Sequence, residues 1–283
     1  MNILVLGATG MLGSAVLRVL SETAHLRVSG TIRSADALSL FPPELAARLI
    51  VVPEGLEDDA ALQRLFDQVR PDVVVNCVSL NQATLADPMR AIAVFSRLPR
   101  LLADLCRLRG ARLILMSSDG VFSGVRGAYT EDDLPDARDV YGIAKLLGEV
   151  KDTHVLSLRT SIIGHQIRGR AGLLAWFLSQ EGECRCYRQA IFSGFPTVVL
   201  AMLIRDVLLP RPQLHGLYHV ASAPISKFEL LRLVAQVYGK SIAMVPLDEP
   251  VIDRSLCAAR FEAATGYVAP AWPDMIKVMH SYQ

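Results

Sequence analysis

The stretch Asn2-Ile-Leu-Val-Leu-Gly7-Ala-Thr-Gly10-Met-Leu-Gly13 opens the chain and decides its fold. An apolar, strand-forming run leads into the glycine pattern G-x-x-G-x-x-G, and a helical pattern follows over Met11–Ser21. Glycines let the backbone turn tightly and approach a pyrophosphate, whose charge is stabilised by the free N–H groups at a helix start. Because the pattern lies between a strand and a helix, it predicts a dinucleotide-binding βα unit. A purely structural turn is the alternative.

Short apolar runs alternate with helical patterns through the first half of the chain. The predicted strands are Asn2–Leu6, Leu26–Ile32, Leu49–Val52, Asp72–Asn76, Arg112–Ser117 and His154–Leu158. The predicted helices are Met11–Ser21, Asp59–Val69, Met89–Leu108 with a kink at Pro99, and Tyr141–Val150. This alternation predicts an α/β fold: a Rossmann-type, doubly wound parallel sheet with helices on both faces.

The alternation loosens after Arg159. The predicted elements there are helices at Gly172–Ser179, Val198–Leu208, Lys227–Tyr238 and Trp272–Tyr282, and strands at Glu183–Tyr187 and Gly216–Val220. We therefore expect a Rossmann domain over residues 1–163, joined by 198–224. A smaller C-terminal substrate-binding cap is expected from 164–197 and 225–283.

Composition excludes several classes of protein. The chain has 283 residues, 52% of them hydrophobic, and a net charge of +1, so nucleic acid is not expected as its main partner. The apolar stretch from Thr197 to Leu209 contains Arg205 and Asp206 and is too short to span a membrane. Five cysteines and six histidines lack the spacing of a metal site, which favours no metal and reduced thiols in a cytoplasmic protein.

The end of the second predicted strand indicates which nicotinamide cofactor would bind. NAD sites usually place an acidic residue there to hold the ribose 2′-hydroxyl. This chain has Arg33 and Ser34 instead. A guanidinium can face the 2′-phosphate of NADP, so the pattern favours NADP(H). An arginine solvated in a loop is the alternative.

Tyr141 and Lys145 are spaced i, i+4 on a predicted helix, which places both side chains on one face. A nearby cation favours the phenolate, so such a tyrosine can exchange a proton with a carbonyl oxygen. Ser117 and Ser118 end a buried strand, and in a doubly wound sheet these strand ends face the ligand. Ser118 is therefore placed to bind a substrate carbonyl, whereas Ser117 is expected to cap the strand.

Together the glycine loop, Ser117–Gly124 (SSDGVFSG) and Tyr141–Lys145 (YGIAK) resemble the extended short-chain dehydrogenase/reductases, in the dTDP-4-dehydrorhamnose reductase-like branch. The resemblance covers essentially the whole chain. Further matching segments are Pro71–Cys77, Leu146–Glu149, Leu158–Ser161, Ile191–Thr197, Leu217–Val220 and Ile252–Leu256.

The resemblance implies that hydride passes from NADPH to a 4-keto (deoxy)sugar attached to a nucleoside diphosphate. Tyr141 would protonate the keto oxygen, Ser118 would position it, and Lys145 would hold the nicotinamide ribose and tune Tyr141. The implied cofactor contacts are Gly7, Thr9, Gly10, Met11, Leu12, Gly13, Arg33, Ser34, Gly55, Leu56, Cys77, Val78, Ser79, Tyr141 and Lys145. Members of this family often form homodimers, so a second copy of this chain is an expected partner.

The expected substrate contacts are Ser118, Asp119, Tyr141 and Arg188. Arg188 belongs to a group with Arg168, Arg170 and Arg185 that flanks the helix predicted at Gly172–Ser179. These guanidinium groups could hold the substrate diphosphate, and a solvated basic surface is the equal alternative.

Three positions depart from the family pattern. Phe95 stands where many members have an asparagine that completes a proton relay, Gly120 where rhamnose-forming reductases have tyrosine, and Ile162 where tryptophan is common. The altered relay keeps a second function open, that of a non-catalytic, NADP-binding regulatory subunit. A nucleotide-sugar epimerase or dehydratase is a further alternative, disfavoured by Arg33 and by the lack of an extra acid/base pair beside Tyr141.

Overall fold

A parallel sheet of seven strands forms the centre of the computed structural model, which describes residues 1–169 and 172–283. The strands are β1 (Asn2–Leu6), β2 (Arg27–Ile32), β3 (Leu49–Val51), β4 (Val73–Asn76), β5 (Arg112–Met116), β6 (Val155–Arg159), β7 (Ile162–Ile163), β8 (Glu183–Tyr187), β9 (Ala190–Phe192), β10 (Phe195–Pro196), β11 (Gly216–His219), β12 (Ile225–Ser226), β13 (Ala243–Leu247) and β14 (Ile252–Asp253). The central sheet has the order β3-β2-β1-β4-β5-β6-β11, and every neighbouring pair is parallel. The predicted Rossmann-type sheet is confirmed.

Helices cover both faces of this sheet. They are α1 (Met11–Ser21), α2 (Pro43–Ala46), α3 (Asp59–Val69), α4 (Gln82–Leu85), α5 (Pro88–Ile92), α6 (Leu98–Arg109), α7 (Val140–Leu147), α8 (Leu173–Leu178), α9 (Thr197–Leu203), α10 (Lys227–Tyr238), α11 (Ala259–Thr265) and α12 (Trp272–Ser281). Successive β1 residues face opposite sides. Ile3 and Val5 belong to the apolar core that contains α1 and α9, whereas Leu4 and Leu6 pack with α3 and α6. None of the helices in the described residues is both long and apolar enough to cross a membrane.

The long helix predicted over Met89–Leu108 is divided differently than expected. A π-helical turn at Ala93–Arg97 separates α5 from α6. The predicted kink at Pro99 is wrong, because Pro99 lies in the first turn of α6, where a proline is tolerated. The π-helical turn precedes Pro99 and includes Phe95.

Small sheets occupy the later part of the chain. β8 pairs with β13, β9 lies between β12 and β14, and β7 pairs with β10. The prediction of β8 is confirmed, but β9 and β10 were not predicted, because strands of two or three residues give no readable periodicity. The proposed division into a Rossmann domain and a cap stays a prediction.

Glu149, after α7, and Arg159, at the end of β6, form a buried ion pair beside the central sheet. The Arg159 guanidinium donates to both Glu149 carboxylate oxygens over 2.8 and 2.9 Å, and both side chains are under a tenth exposed. Ser117 donates to the same carboxylate over 2.6 Å. Burial and the neighbouring Arg159 lower the pKa of His219 to about 4, so its imidazole is neutral and lies 3.3 Å from Arg159. The pair thus has the extra hydrogen bonds that a buried ion pair requires.

Replacing Arg159 with methionine should lower the free energy of unfolding by about 3–5 kcal/mol, because the Glu149 carboxylate is left buried without its partner. Denaturant unfolding monitored by circular dichroism measures this loss. The matched control is Arg188→Met, which removes an exposed ion pair with Asp248 and should cost less than about 1 kcal/mol. Equal losses in the two variants would contradict the role given to the buried pair.

Candidate functional site

The glycine loop between β1 and α1 forms a cradle open to an anion. Gly7 has a φ of +78°, and a Cβ on Gly13 would lie 2.1 Å from the Gly7 carbonyl oxygen. Only glycine therefore allows α1 to pack this closely on the turn. α1 begins after Gly10 with no side-chain capping bond among the described residues, so its first N–H groups remain available to a ligand.

The other predicted cofactor residues follow the carboxyl ends of neighbouring strands, at the same edge of the sheet. Cys77, Val78 and Ser79 follow β4, and a Cβ on Gly7 would lie 3.0 Å from the Val78 Cα. Gly55 and Leu56 follow β3.

Arg33 and Ser34 follow β2 at this edge, and both are exposed. The Ser34 hydroxyl caps the short 3₁₀ helix over Ala35–Leu40 by accepting from the Asp36 N–H over 3.3 Å. Ser34 is therefore engaged in capping. Arg33 forms no ion pair within the described residues, so its charge is free at the end of β2.

Ser118 and Tyr141 meet beside Gly120. A Cβ on Gly120 would lie 3.2 Å from the Ser118 hydroxyl oxygen and 2.9 Å from the Tyr141 ring. Burial raises the pKa of Tyr141, and the neighbouring Ser118 hydroxyl has a smaller, opposing effect. The departure to glycine at position 120 therefore has a packing consequence, because a larger side chain there would separate the two groups.

Lys145 lies one turn further along α7. Its ammonium nitrogen donates to the Met116 carbonyl over 2.9 Å and lies 6.0 Å from the centre of the Tyr141 ring. Burial lowers the pKa of Lys145 to about 8, against smaller opposing effects of Cys77 and Glu149. The predicted convergence of a hydroxyl, a phenol and an amine is thus present in the structure.

Phe95 fills the space between Tyr141 and Lys145. Its buried ring lies edge-on to Tyr141, with centroids 5.4 Å apart, and its centroid is 4.4 Å from the Lys145 nitrogen. The helix predicted over Tyr141–Val150 ends early, at Leu147, beside this segment. Gly148 follows, and a Cβ there would lie only 1.8 Å from the Phe95 carbonyl oxygen.

Two cations of the later chain face the Ser118 side of the site and were not assigned to it from the sequence. Burial raises the pKa of Asp119, and Arg254 is among the groups that lower it. Burial lowers the pKa of Lys227, at the start of α10, and the nearby Asp119 has a smaller, opposing effect. Neither cation forms an ion pair with Asp119 among the described contacts. The only signal in the sequence was that Arg254 belongs to a matching segment.

Arg188 lies on the surface, where it pairs with Asp248 and is more than half exposed. Arg170 lies outside the described residues, and the role of this arginine group in binding a substrate stays a prediction. A separate cavity of about 640 Å³ lies beside α1. Its lining includes Met11 and His165 but not Ser118, Tyr141 or Lys145.

Comparisons with known proteins agree with this fold. The RmlD substrate binding domain family matches residues 1–255, and the chain belongs to this family. Methionine adenosyltransferase 2 subunit beta of Xenopus laevis is 30% identical over 274 residues, which cover 88% of this chain and 76% of the relative. dTDP-4-dehydrorhamnose reductase of Streptomyces griseus is 36% identical over 149 residues, covering 52% of this chain and 43% of the relative. The family resemblance drawn from the motifs is confirmed.

Solved structures share the whole fold at low identity. dTDP-4-dehydrorhamnose reductase of Bacillus anthracis, in complex with NADP, has a TM-score of 0.80 at 19% identity and covers 100% of both chains. The Bordetella bronchiseptica enzyme WbmG, in complex with NAD and UDP, has a TM-score of 0.80 at 21% identity and covers 100% of this chain and 94% of its own.

The lowered pKa of Lys145 should appear in the pH dependence of stability. Between about pH 8 and 10.5 the folded protein has lost the Lys145 proton, while the unfolded chain still holds it. The unfolded state then binds more protons, so the free energy of unfolding rises with pH through this window. Lys145→Met should flatten that rise relative to the wild type, as measured by urea unfolding at several pH values.

The control for this titration is Lys277→Met, at a position where the lysine is two-thirds exposed. This variant should keep the wild-type slope. An unchanged slope in Lys145→Met would show that the amine ionises as a solvent-exposed lysine does.

Proposed function

We propose that this chain uses NADPH to reduce the keto group of a 4-keto sugar attached to a nucleoside diphosphate. The observation that carries the proposal is the meeting of Ser118 and Tyr141 beside Gly120, with Lys145 on the next turn, at the sheet edge that also holds the glycine cradle. Membership of the RmlD substrate binding domain family supports the nucleotide-sugar substrate class.

The residues present fit a nicotinamide dinucleotide. The bare glycine turn and the uncapped start of α1 suit its pyrophosphate, and Arg33 suits a 2′-phosphate. Residues 77–79 and Lys145 would line the half of the site towards β4 and α7. When bound, the reduced cofactor supplies a hydride to the keto carbon. Relatives in fold were solved with NADP or NAD, which supports this cofactor class.

The side chains supply the proton and the orientation. In this proposal Ser118 donates a hydrogen bond to the keto oxygen, and Tyr141 gives it a proton as negative charge develops. The positive charge of Lys145 favours the phenolate that Tyr141 then becomes. The mixed charges of Asp119, Lys227 and Arg254 suit hydroxyl and anionic groups of the substrate.

A second function has a specific observation in its favour. Phe95 places an apolar ring against both Tyr141 and Lys145, where family members often have a polar relay residue. Several relatives are named as a subunit of methionine adenosyltransferase. In this alternative the chain binds NADP(H) as a regulatory subunit and turns over no sugar.

Wild-type protein mixed with NADPH and a panel of nucleoside-diphosphate 4-keto sugars should oxidise the cofactor, followed as loss of its absorbance. Tyr141→Phe should lower kcat by about 100- to 10,000-fold, because the proton donor is lost. Tyr267→Phe, a tyrosine outside this site, is the matched control and should stay near wild-type activity. Tight NADPH binding without oxidation for every sugar would instead favour the regulatory function.

Arg33→Ala should raise the Kd for NADPH by about 10- to 100-fold, because a charge-assisted contact with the 2′-phosphate is lost. Binding of NADH, which lacks this phosphate, should change little. Isothermal titration calorimetry measures both. Arg27→Ala, at the opposite end of β2, is the control and should leave both values unchanged. If Arg33→Ala weakens neither cofactor, the preference for NADP has another origin.

A further inference from the structure

The cavity of about 640 Å³ beside α1 is separate from both the Ser118 site and the bare glycines of the cofactor cradle. It extends from Met11, in the first turn of α1, to Glu22, which caps the end of that helix. A helix of 11 residues is about 16 Å long, so the cavity is elongated. Its volume lies within the range of sites that bind small molecules.

Apolar side chains from three other segments face α1 across this cavity. Phe41 and Leu45 come from the connection between β2 and β3, Ile167 follows β7, and Met279 lies on α12. All four belong to the main apolar core or pack against it, so the fold itself holds this wall in place. A preformed apolar wall favours a ligand with an apolar body.

Two hydroxyl groups at the cavity lack a partner in the described part of the protein. Thr197, the first residue of α9, is only 4% exposed, and its hydroxyl forms no hydrogen bond within the described residues. The Ser21 hydroxyl oxygen is buried and also has no partner there. Because buried hydroxyl groups require hydrogen bonds, water or a polar group of a ligand must supply them from the cavity.

The charged side chains at the cavity leave one half-buried cation unpaired. The Arg18 guanidinium donates to the Tyr282 carbonyl over 3.3 Å, and Glu22 accepts the Tyr282 hydroxyl over 3.1 Å. Glu44 is exposed to solvent. Arg48 is half-buried, and its side chain forms no ion pair or hydrogen bond within the described residues. A guanidinium in such a position favours an anionic group.

We propose that this cavity binds an amphipathic small molecule that has an apolar body and a single acidic group. The apolar body lies along α1 against Phe41 and Leu45, Arg48 pairs with the acidic group, and Thr197 forms a hydrogen bond to the ligand. The site is distinct from the proposed reductase site. It adds a second ligand to this chain whether the chain reduces a sugar or acts as a regulatory subunit.

Two fluorescent probes test the two parts of this ligand. Anilinonaphthalene sulfonate has an apolar ring system and one sulfonate, and phenylnaphthylamine has the same rings without the charge. Both become strongly fluorescent in apolar surroundings. With NADP⁺ present at saturation to fill the cofactor cradle, each probe should bind the wild type at one saturable site per chain.

Arg48→Met tests the acidic group. It should raise the Kd of the sulfonate probe by about 10-fold, because a charge-assisted contact is lost, and leave the Kd of the uncharged probe unchanged. Arg64→Met, which removes an exposed arginine outside the cavity, is the matched control and should change neither Kd. If Arg48→Met weakens neither probe, or both equally, the pairing with an acidic group is overturned.

Ala15→Phe tests the location. Ala15 lines the cavity from the middle of α1, so a phenyl ring there should fill the space and abolish binding of both probes. Ala263→Phe, at an exposed position of α11, is the control and should bind both probes as the wild type does. Unchanged binding in Ala15→Phe would mean that the probes lie elsewhere. If Ala15→Phe does not fold, Arg48→Met still decides the inference, because its position is only half-buried.

The remaining outcomes separate this inference from the proposed function. Probe binding that disappears when NADP⁺ is saturating would mean that the probes occupy the cofactor cradle, and it would overturn the inference. The absence of saturable binding by either probe would do the same. Neither result affects the reductase proposal, which is decided by NADPH oxidation with keto sugars.

Discussion

The buried pair between Glu149 and Arg159 is the interaction on which the geometry of this site depends. It connects the segment after α7 with the end of β6, while Ser117 connects the same carboxylate to the end of β5. Ser118 follows Ser117 directly, and Tyr141 and Lys145 lie on the helix that the pair holds at its far end. The three reactive side chains therefore take their relative positions from a network that none of them belongs to.

Much of this arrangement could be predicted because it depends on local patterns. The glycine loop is defined by backbone requirements that few residues meet, and α1, α3 and α10 begin and end where the helical patterns indicated. Tyr141 and Lys145 could be paired from spacing alone, since a helix fixes which residues share a face. Ser118 followed from the rule that ligands lie at the carboxyl ends of parallel strands.

Other features depend on contacts between distant parts of the chain. Strands of two or three residues, such as β9 and β12, are stabilised by their neighbours and have no pattern of their own. Lys227 is more than a hundred residues from Asp119 in sequence, and only the packing of α10 brings the two near each other. The π-helical turn that contains Phe95 likewise reflects its packing against α7 rather than any local signal.

Phe95 bears both on proton transfer at the site and on the choice between the reductase and the regulatory function. Its apolar ring lies against both Tyr141 and Lys145, where a reductase needs proton exchange and a protein that only binds the cofactor does not. The central claim is that Ser118, Tyr141 and Lys145 receive a keto sugar beside the cofactor cradle. A crystal structure with NADPH and a nucleoside-diphosphate keto sugar tests this claim most directly. The account expects the keto oxygen within about 3 Å of both the Ser118 and Tyr141 hydroxyl oxygens. A sugar bound elsewhere, with both hydroxyl groups facing solvent, would contradict it.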